Sequence, residues 1–355
     1  MTQSTLIVVI STTEGATTRD TARLRVREDA RLDLCLRAAF GITRAVLRLL
    51  SKLFCLLPER AALAFGRAVG WLWFYVFPVR RRVALRNIER AMGDELERPE
   101  QRAVIRRCLQ NQALFGVEAL RFPLLDREES ERLVERRGYE HMQAAIERGK
   151  GVVAVTAHVG NFDLLGVSQA LRGLPLAIIY KDIHWKAGHK FFFGQRRAAG
   201  ILPILPKRSE REILKALRKG MVVAFVIDQH MPPHRGMATE FFGMLASTTP
   251  APVLFALRTG ATLVTSHIHR EGLSGKHVWE IDAQTPLEEP FEDRKANLRH
   301  NTDKLNRWLE GVVRRYPEQW LWLHKRWKVE DNPEGFELPE ELAAAHRLRN
   351  LDVVK

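Results

Sequence analysis

The spacing of hydrophobic residues divides the chain into regions with different predicted structures. Residues 1–31 contain one short apolar run, 5–10, which is too short to span a bilayer, followed by a stretch rich in both charges. No signal peptide with a basic start and a small-residue cleavage site is recognisable there. We therefore interpret residues 1–31 as an extension for which partial disorder is expected.

Residues 32–90 have the pattern of a membrane-associated helical segment. Residues 34–57 alternate apolar residues with Arg and Lys, which is typical of a basic amphipathic helix. Residues 61–79 are about as long as a bilayer is thick, and their aromatic residues gather near one end. Arg80, Arg81, Arg82 and Arg86 follow and suit an anionic membrane surface. The pattern leaves a spanning helix and an interfacial helix open, with a helix buried in the protein as the alternative.

The remainder predicts an α/β fold with a mostly parallel central sheet flanked by helices. Residues 84–148 have helical spacing throughout, and strands then alternate with helices. The predicted strands are Val152–Thr156, Leu176–Tyr180, Ile201–Leu205, Val222–Ile227, Thr262–His269 and Val278–Ile281. The predicted helices are Phe162–Leu171, Lys186–Ala199, Glu210–Arg218, Pro252–Thr259 and Glu292–Tyr316. We assign residues 91–330 to one catalytic domain and residues 331–355 to a loosely held tail.

The candidate chemistry lies in residues 149–166, GKGVVAVTAHVGNFDLLG. A buried strand ends just before His158, and the helix that follows places Asp163 in its first turn. Gly160 allows the turn to adopt backbone angles that other residues avoid, so we expect Asp163 to fold back and bond the imidazole. A carboxylate on one ring nitrogen fixes the tautomer and raises the basicity of the other. His158 is therefore predicted to be a general base for a hydroxyl group.

The same spacing occurs once more, at His277 and Asp282, but in a different context. That segment reads as a strand without glycine, and residues an odd number apart on a strand face opposite sides. These two side chains are not expected to meet.

Further candidates follow from the strand order. Lys181 and Asp228 each follow a predicted strand, as His158 does, and sites in parallel sheets lie beyond the carboxyl ends of strands. His267 and His269 would share a strand face and could bind a metal ion. Because no acidic or cysteine cluster accompanies them in sequence, we expect no metal site.

Composition indicates an anionic partner. The formal net charge is +14, which suits nucleic acid, an acidic membrane, an acidic carrier protein or a phosphorylated substrate. The three cysteines form no recognisable metal or disulfide framework, which favours a reducing compartment.

The segment AHVGNFDLL resembles the H-x-x-x-x-D/E signature of the lysophospholipid acyltransferase superfamily. From about residue 57 to residue 328 the sequence is more closely similar to the bacterial lipid A late acyltransferases, the lauroyl and myristoyl transferase family. The similarity is carried by Asn87, by 197–208, by Asp228-Gln229, by 241–243, 248–250 and 257–261, and by the closing block PEQWLWLHKRWK. Asp163 stands where many members have Glu, Lys181 where they often have Arg, and His230 and His234 are not typical of the family.

The resemblance implies transfer of a fatty acyl group from a thioester, usually on acyl carrier protein, to a lipid hydroxyl, with no further cofactor. His158 and Asp163 would be catalytic, and Asp228 would position a backbone group or Arg197. Backbone amides of residues 160–163 and Arg197 would stabilise the oxyanion, while Lys181, Lys207 and Arg208 would hold phosphates. The expected substrate-binding residues are thus Gly160, Asn161, Lys181, Arg197, Lys207, Arg208, Asp228, Phe242, Gly243 and Thr249, with Phe242 shaping an acyl channel or simply packing in the core.

The family implies a bacterial inner membrane location with the active site facing the cytoplasm, and a lipid A precursor or similar glycolipid as acceptor. A related acyltransferase using acyl-coenzyme A on a lysophospholipid or phosphatidylinositol mannoside is the alternative. A basic nucleic-acid-binding protein is a more distant one, since its charges should cluster on one face with stacking aromatics. Here the charges flank apolar segments instead.

Overall fold

The computed structural model describes residues 41–179, 186–205 and 209–352. Its helices are α1 (41–56), α2 (Glu59–Tyr75), α3 (Arg81–Met92), α4 (Arg98–Arg121), α5 (Arg127–Leu133), α6 (Tyr139–Glu147), α7 (Phe162–Leu171), α8 (Lys186–Ala198), α9 (Ser209–Arg218), α10 (Ala251–Thr259), α11 (Arg294–Arg315), α12 (Lys328–Asp331) and α13 (Glu340–Asp352). Its strands are β1 (Val134–Arg137), β2 (Val152–Thr156), β3 (Leu176–Ile179), β4 (Leu202–Ile204), β5 (Val222–Val226), β6 (Met237–Phe241), β7 (Met244–Thr248), β8 (Thr262–Arg270) and β9 (His277–Gln284).

The central sheet has seven strands in the order β1-β9-β8-β2-β5-β3-β4. Strands β8, β2, β5, β3 and β4 are parallel, whereas β9 runs antiparallel to β8 and pairs in parallel with β1. The predicted α/β class with a mostly parallel sheet is therefore confirmed. The first and last residues of β2 and of α7 are the ones predicted from the sequence.

Helices cover both faces of the sheet, so the central strands are apolar on both sides. Along β2, Val153 and Val155 pack in the core that includes α10 and α11, while Val152 and Ala154 pack against α6 and α7. Every residue of β2 is buried, as expected for a strand inside a covered parallel sheet. This rigid strand holds the turn at His158.

The sequence analysis did not predict β1, β6, β7 or α13. β1 lies in a region predicted to be helical throughout, because VERR is a short edge strand with one buried residue and no apolar alternation to reveal it. β6 and β7 form a separate antiparallel hairpin. The tail predicted to be loose contains α13, which is tied to the fold by Arg349 and Glu330 through paired hydrogen bonds.

The N-terminal helices combine tight internal packing with an exposed apolar face. In α2, Gly66 and Gly70 let the helix approach α4 closely. Asn87 of α3 donates hydrogen bonds of 2.7 Å to the carbonyls of Trp322 and His324, which ties α3 to the closing aromatic block. Among the described residues, no helix combines the length and the apolar character that crossing a membrane would require.

We predict that Gly70→Ala destabilises the fold by about 1–3 kcal/mol or more, because the added Cβ would lie 2.3 Å from the Cα of Gln110. Gly116→Ala in α4 is the matched control: its Cβ would meet no atom within 4 Å, so it should be neutral or stabilise by about 0.4–1 kcal/mol. Equilibrium unfolding followed by circular dichroism measures both. Equal stability of the two variants would show that α2 and α4 do not pack this closely.

Candidate active site

The His158 turn is fixed by backbone geometry and a buried helix cap. Gly160 has a φ of +58°, and a Cβ there would lie 2.3 Å from the carbonyl oxygen of Ile268. The side chain of Asn161 caps α7 by accepting a hydrogen bond from the amide of Leu164 at 2.9 Å. Its amide nitrogen donates to Glu118 at 2.7 Å. Gly160 and Asn161, predicted to bind substrate, thus have structural roles that shape the turn.

The carboxylate that bonds the imidazole is Asp228. Its Oδ1 lies 2.6 Å from His158 Nδ1, while its Oδ2 accepts the backbone N–H of His158 at 2.9 Å and the indole N–H of Trp320 at 2.8 Å. Strands β2 and β5 are parallel neighbours, so the residues that follow their carboxyl ends meet. Asp228 was predicted to position a backbone group or Arg197; it accepts the backbone N–H of His158, and its other partners are the imidazole and the Trp320 indole, not Arg197.

The predicted contact between Asp163 and the imidazole is wrong. Asp163 is the second residue of α7, and both of its carboxylate oxygens accept hydrogen bonds from Nη2 of Arg196 on α8, the one to Oδ2 being 2.6 Å long. The helix, and not the glycine turn, sets the direction of this side chain. Asp163 still acts on His158 through its negative charge.

The charges around His158 favour a basic imidazole. Burial acts to lower its pKa, but the charge and hydrogen bond of Asp228, together with the charge of Asp163, raise the pKa above its ordinary value of 6.5. For Asp228, burial acts in the opposite sense, yet the imidazole and its other donors lower the pKa to about 2. Asp228 is therefore ionised at neutral pH and holds a proton on Nδ1 of the ring.

The second ring nitrogen of His158 faces away from Asp228. Nε2 lies 3.2 Å from the side-chain amide nitrogen of Gln229, which can donate to it when Nδ1 carries the proton. The ring of Phe162 packs edge-on at 4.6 Å between centroids, and the His158 side chain is 16% exposed. Nε2 thus has the lone pair that a general base requires, on a side chain that is not fully enclosed.

The closing aromatic block fixes the backbone on both sides of His158. The amide of Leu321 donates to the carbonyl of His158, and the amide of Gly160 donates to the carbonyl of Gln319, both at 3.1 Å. Trp320 is buried and packs against Phe241. Because the amide of Gly160 is already bonded, it is not available to stabilise an oxyanion. The amide of Leu164 is bonded to Asn161, whereas the amides of Phe162 and Asp163, the first two residues of α7, have no acceptor within the helix.

Several other predicted residues lie elsewhere. Arg197 is exposed on α8, and its neighbour Arg196 makes the contact with Asp163. Phe242 and Gly243 form the two-residue turn between β6 and β7, with φ values of 52° and 69°, and Phe242 packs under the Arg314 guanidinium. Of the two readings for Phe242, the structure therefore supports core packing.

Thr249 stands at the start of α10, where its hydroxyl accepts a hydrogen bond from the amide of Ala251 at 3.3 Å. Lys181, Lys207 and Arg208 lie outside the described residues. For His277 and Asp282, the predicted separation is confirmed: His277 bonds the carbonyl of Gly275, and Asp282 accepts the indole N–H of Trp308.

A buried ionic network behind the turn was not visible in the sequence. Glu118 of α4 accepts hydrogen bonds from Arg270 of β8 as well as from Asn161, and the charge of Arg270 helps to lower the pKa of Glu118 although burial acts to raise it. These residues are 43 to 152 positions apart, so no local pattern could join them. Arg196, Gln229 and Trp320 were missed for the same reason.

We predict that Asp228→Asn lowers the pKa of His158, because the largest contribution that raises it is lost while burial remains. Asp163→Asn should lower this pKa less, since only a charge without a hydrogen bond is removed. NMR titration of the imidazole, assigned by comparison with His158→Gln, measures the shift. A larger shift in Asp163→Asn than in Asp228→Asn would contradict the arrangement described above.

Comparison with known proteins places this geometry in a family. The family model described as "Bacterial lipid A biosynthesis acyltransferase" matches residues 38–329. A lipid A biosynthesis lauroyltransferase of Escherichia coli is 24% identical over 285 residues, which cover 79% of this chain and 88% of that protein. A phosphatidylinositol mannoside acyltransferase of Mycolicibacterium smegmatis is 24% identical over 247 residues, 68% of this chain and 78% of that protein.

A lipid A biosynthesis palmitoleoyltransferase of Escherichia coli is 26% identical over 196 residues, 54% of this chain and 60% of that protein. The matched region contains all of β2, the His158 turn, β5 and the closing aromatic block. The chain therefore belongs to the bacterial lipid A biosynthesis acyltransferase family and is an acyltransferase that acts on lipid acceptors.

Proposed function

We propose that this enzyme transfers a fatty acyl group from an acyl thioester, carried by acyl carrier protein, to a hydroxyl of a lipid A precursor or a similar glycolipid. The observation that carries the proposal is the imidazole of His158, which is held by buried Asp228 at Nδ1 and belongs to a side chain that is 16% exposed. This is the geometry that a general base for a hydroxyl requires.

In the proposed reaction, Nε2 of His158 removes the proton from the acceptor hydroxyl while its oxygen attacks the thioester carbonyl. The negative charge of Asp228 stabilises the imidazolium that forms, and the charge of Asp163 contributes in the same sense. The tetrahedral intermediate then expels the thiolate, which takes the proton from Nε2. The hydroxyl itself is the nucleophile, so no acyl-enzyme is formed.

The side-chain amide of Gln229 must release its hydrogen bond to Nε2 when the acceptor hydroxyl binds, because both groups donate to the same lone pair. The backbone amides of Phe162 and Asp163 are the proposed oxyanion donors, since the helix dipole also favours negative charge at the start of α7. We no longer propose Arg197 as an oxyanion donor, because its side chain is exposed on α8. Lys181, Lys207 and Arg208 remain proposed phosphate ligands on sequence grounds alone.

A cavity of about 690 Å³ between α1, α7 and α8 supports a lipid substrate. Its wall includes Val167, Leu171 and Phe191, and its rim carries Arg44 and Lys190. An apolar wall with cations at the rim suits an acyl chain attached to a phosphorylated headgroup.

A second acceptor class is favoured by the similarity to phosphatidylinositol mannoside acyltransferases. In that reading the same imidazole acts on a mannoside or on a lysophospholipid, with acyl-coenzyme A as the donor. The site residues described above suit either acceptor, because the proposed reaction at His158 involves only a hydroxyl group and a thioester.

We expect purified enzyme to acylate a lipid A precursor faster with acyl carrier protein thioesters than with coenzyme A thioesters. Product lipids from both donors, with a lipid A precursor and with a phosphatidylinositol mannoside, are measured by mass spectrometry. His158→Ala should reduce turnover by about 10²–10⁴-fold without unfolding the protein. His300→Ala, which removes an exposed bond to Glu288, is the control and should retain activity.

Near-normal turnover by folded His158→Ala would exclude the general-base mechanism. A preference for coenzyme A and the mannoside would transfer the proposal to the second acceptor class. In that case the chemistry at His158 would be unchanged.

We also propose that residues 32–90 attach the enzyme to the inner membrane with the active site on the cytoplasmic side. The large apolar side chains exposed on α1, α2 and the loop after it include Ile42, Val46, Leu49, Leu53, Leu56, Phe65, Trp71, Tyr75, Val76, Phe77 and Val79. Arg82 and Arg86 lie exposed at the start of α3, next to this apolar surface. An interfacial position fits this arrangement, with apolar residues in the membrane and cations at anionic headgroups.

Leu56→Glu and Phe65→Glu should each weaken binding to anionic vesicles several-fold, because a carboxylate replaces a side chain that is 82% or 53% exposed on this surface. Leu348→Glu on α13, where the leucine is 64% exposed, is the matched control and should bind normally. Vesicle co-sedimentation measures the affinity. Equal losses in all three variants would refute a specific membrane surface on α1 and α2.

A further inference from the structure

Two histidines and a glutamate that are not bonded to His158 or Asp228 meet on one face of the sheet. His267 and His269 lie on β8, and Glu280 lies on β9 directly opposite His267 in the antiparallel register. The sequence analysis found the histidine pair but no acidic partner, because Glu280 comes from the neighbouring strand. Its position depends on a register that includes a bulge between Val264 and Ser266.

The three side chains are as close as ligands of one ion. One nitrogen or oxygen from each lies within 4.8 Å of the other two. Nε2 of His267 is 3.4 Å from Glu280 Oε2, and Nδ1 of His269 is 3.9 Å from Oε1. In a tetrahedral zinc site with bonds of about 2.1 Å, neighbouring ligand atoms are about 3.4 Å apart.

The ring nitrogens that face this space lack other partners. Both nitrogens of His267 and Nδ1 of His269 are buried and form no hydrogen bond within the described part of the chain. The two residues are 0% and 7% exposed. A buried polar atom without a partner costs free energy, so its presence requires an explanation such as an ion.

We propose that His267, His269 and Glu280 bind a divalent transition-metal ion, with zinc as the best match to two imidazoles and one carboxylate. The ion would have a structural role and would take no part in acyl transfer. The two imidazoles would bind as neutral ligands, and the carboxylate would supply the negative charge.

The surroundings favour this protonation state. Burial lowers the pKa of His267 to about 3 and also lowers that of His269, so neither proton competes with a metal ion at neutral pH. The hydroxyl of Tyr316 donates to Glu280 Oε1 at 3.3 Å, and its ring stacks on His269 at 4.1 Å. Such second contacts orient the ligands of metal sites.

Two arginine side chains near Glu280 repel a bound metal ion and limit the affinity of the site for it. Nη1 of Arg315 lies 3.7 Å from Glu280 Oε2, and Nη1 of Arg137 lies 4.0 Å from Oε1. Both side chains are about half exposed, so water and salt screen their charges. They can move into solvent when the carboxylate turns to a metal ion. Removal of Arg315 should consequently strengthen metal binding.

The structural role follows from position. Gly160, beside His158, approaches the backbone of Ile268 and His269 closely. Arg270, which follows His269 on β8, donates hydrogen bonds to Gln319 through its backbone amide and to Glu118 through its guanidinium. An ion that joins β8 to β9 here would stiffen the strand end against which the catalytic turn packs.

The test uses the full chain purified without a histidine tag and stripped with a chelator. Zinc is titrated by calorimetry, and cobalt is used as a spectroscopic probe of the ligand geometry. The variants are His267→Gln, His269→Gln, Glu280→Gln and Arg315→Gln, with His300→Gln on α11 as the matched control. Circular dichroism of the metal-free proteins checks that each variant folds.

We expect one equivalent of zinc to bind and to raise the melting temperature, with cobalt giving the spectrum of a four-coordinate site that has three protein ligands and one water. Each histidine variant and Glu280→Gln should bind zinc at least ten-fold more weakly, Arg315→Gln more tightly, and His300→Gln unchanged. The proposal is overturned if the unmodified chain binds no stoichiometric zinc, or if Glu280→Gln binds it as well as the control. Should a histidine variant fail to fold, the opposite shifts in Glu280→Gln and Arg315→Gln decide, because both side chains are partly exposed.

Discussion

The site depends on one buried carboxylate. Asp228 is 3% exposed, and an ionised carboxylate at that depth is tolerable only when donors satisfy both oxygens. The ring of His158, its backbone N–H and the indole of Trp320 supply three donors from two distant parts of the chain. Removing one member of such a buried pair typically costs about 3–5 kcal/mol. The same bonds that satisfy the charge therefore hold the imidazole in one tautomer and one orientation.

The surrounding structure holds Asp228 and its hydrogen-bond donors in position. β2 and β5 place His158 and Asp228 side by side, and the closing aromatic block brings Trp320 over them. The Glu118, Asn161 and Arg270 network holds the turn from behind. Because each of these groups is buried and bonded, the turn has little freedom to rearrange. In the proposed mechanism, a preorganised base of this kind avoids reorganisation at the moment of reaction.

The exposed surfaces contrast with this rigid centre. α1 and α2 carry large apolar side chains into solvent, while the face of α2 towards α4 is packed through glycines. The chain thus has one face adapted to a protein interior and another with the character of a lipid contact. The cavity lies between α1, which carries part of this apolar surface, and α7 and α8, the helices that carry Asp163 and Arg196.

Local pattern alone determined much of this protein. The bounds of β2 and α7, the α/β class and the position of His158 at a strand-to-helix turn all follow from residues within a few positions of one another. Only the tertiary structure decided which acid bonds the imidazole, because Asp228 is 70 residues away and meets His158 through strand order. The same holds for Glu280 beside His267, where the antiparallel register makes neighbours of residues on different strands. Local sequence patterns indicate contacts between residues that are close in the chain. Buried charges in this sheet are instead hydrogen-bonded by residues from other parts of the chain, which only the tertiary structure brings together.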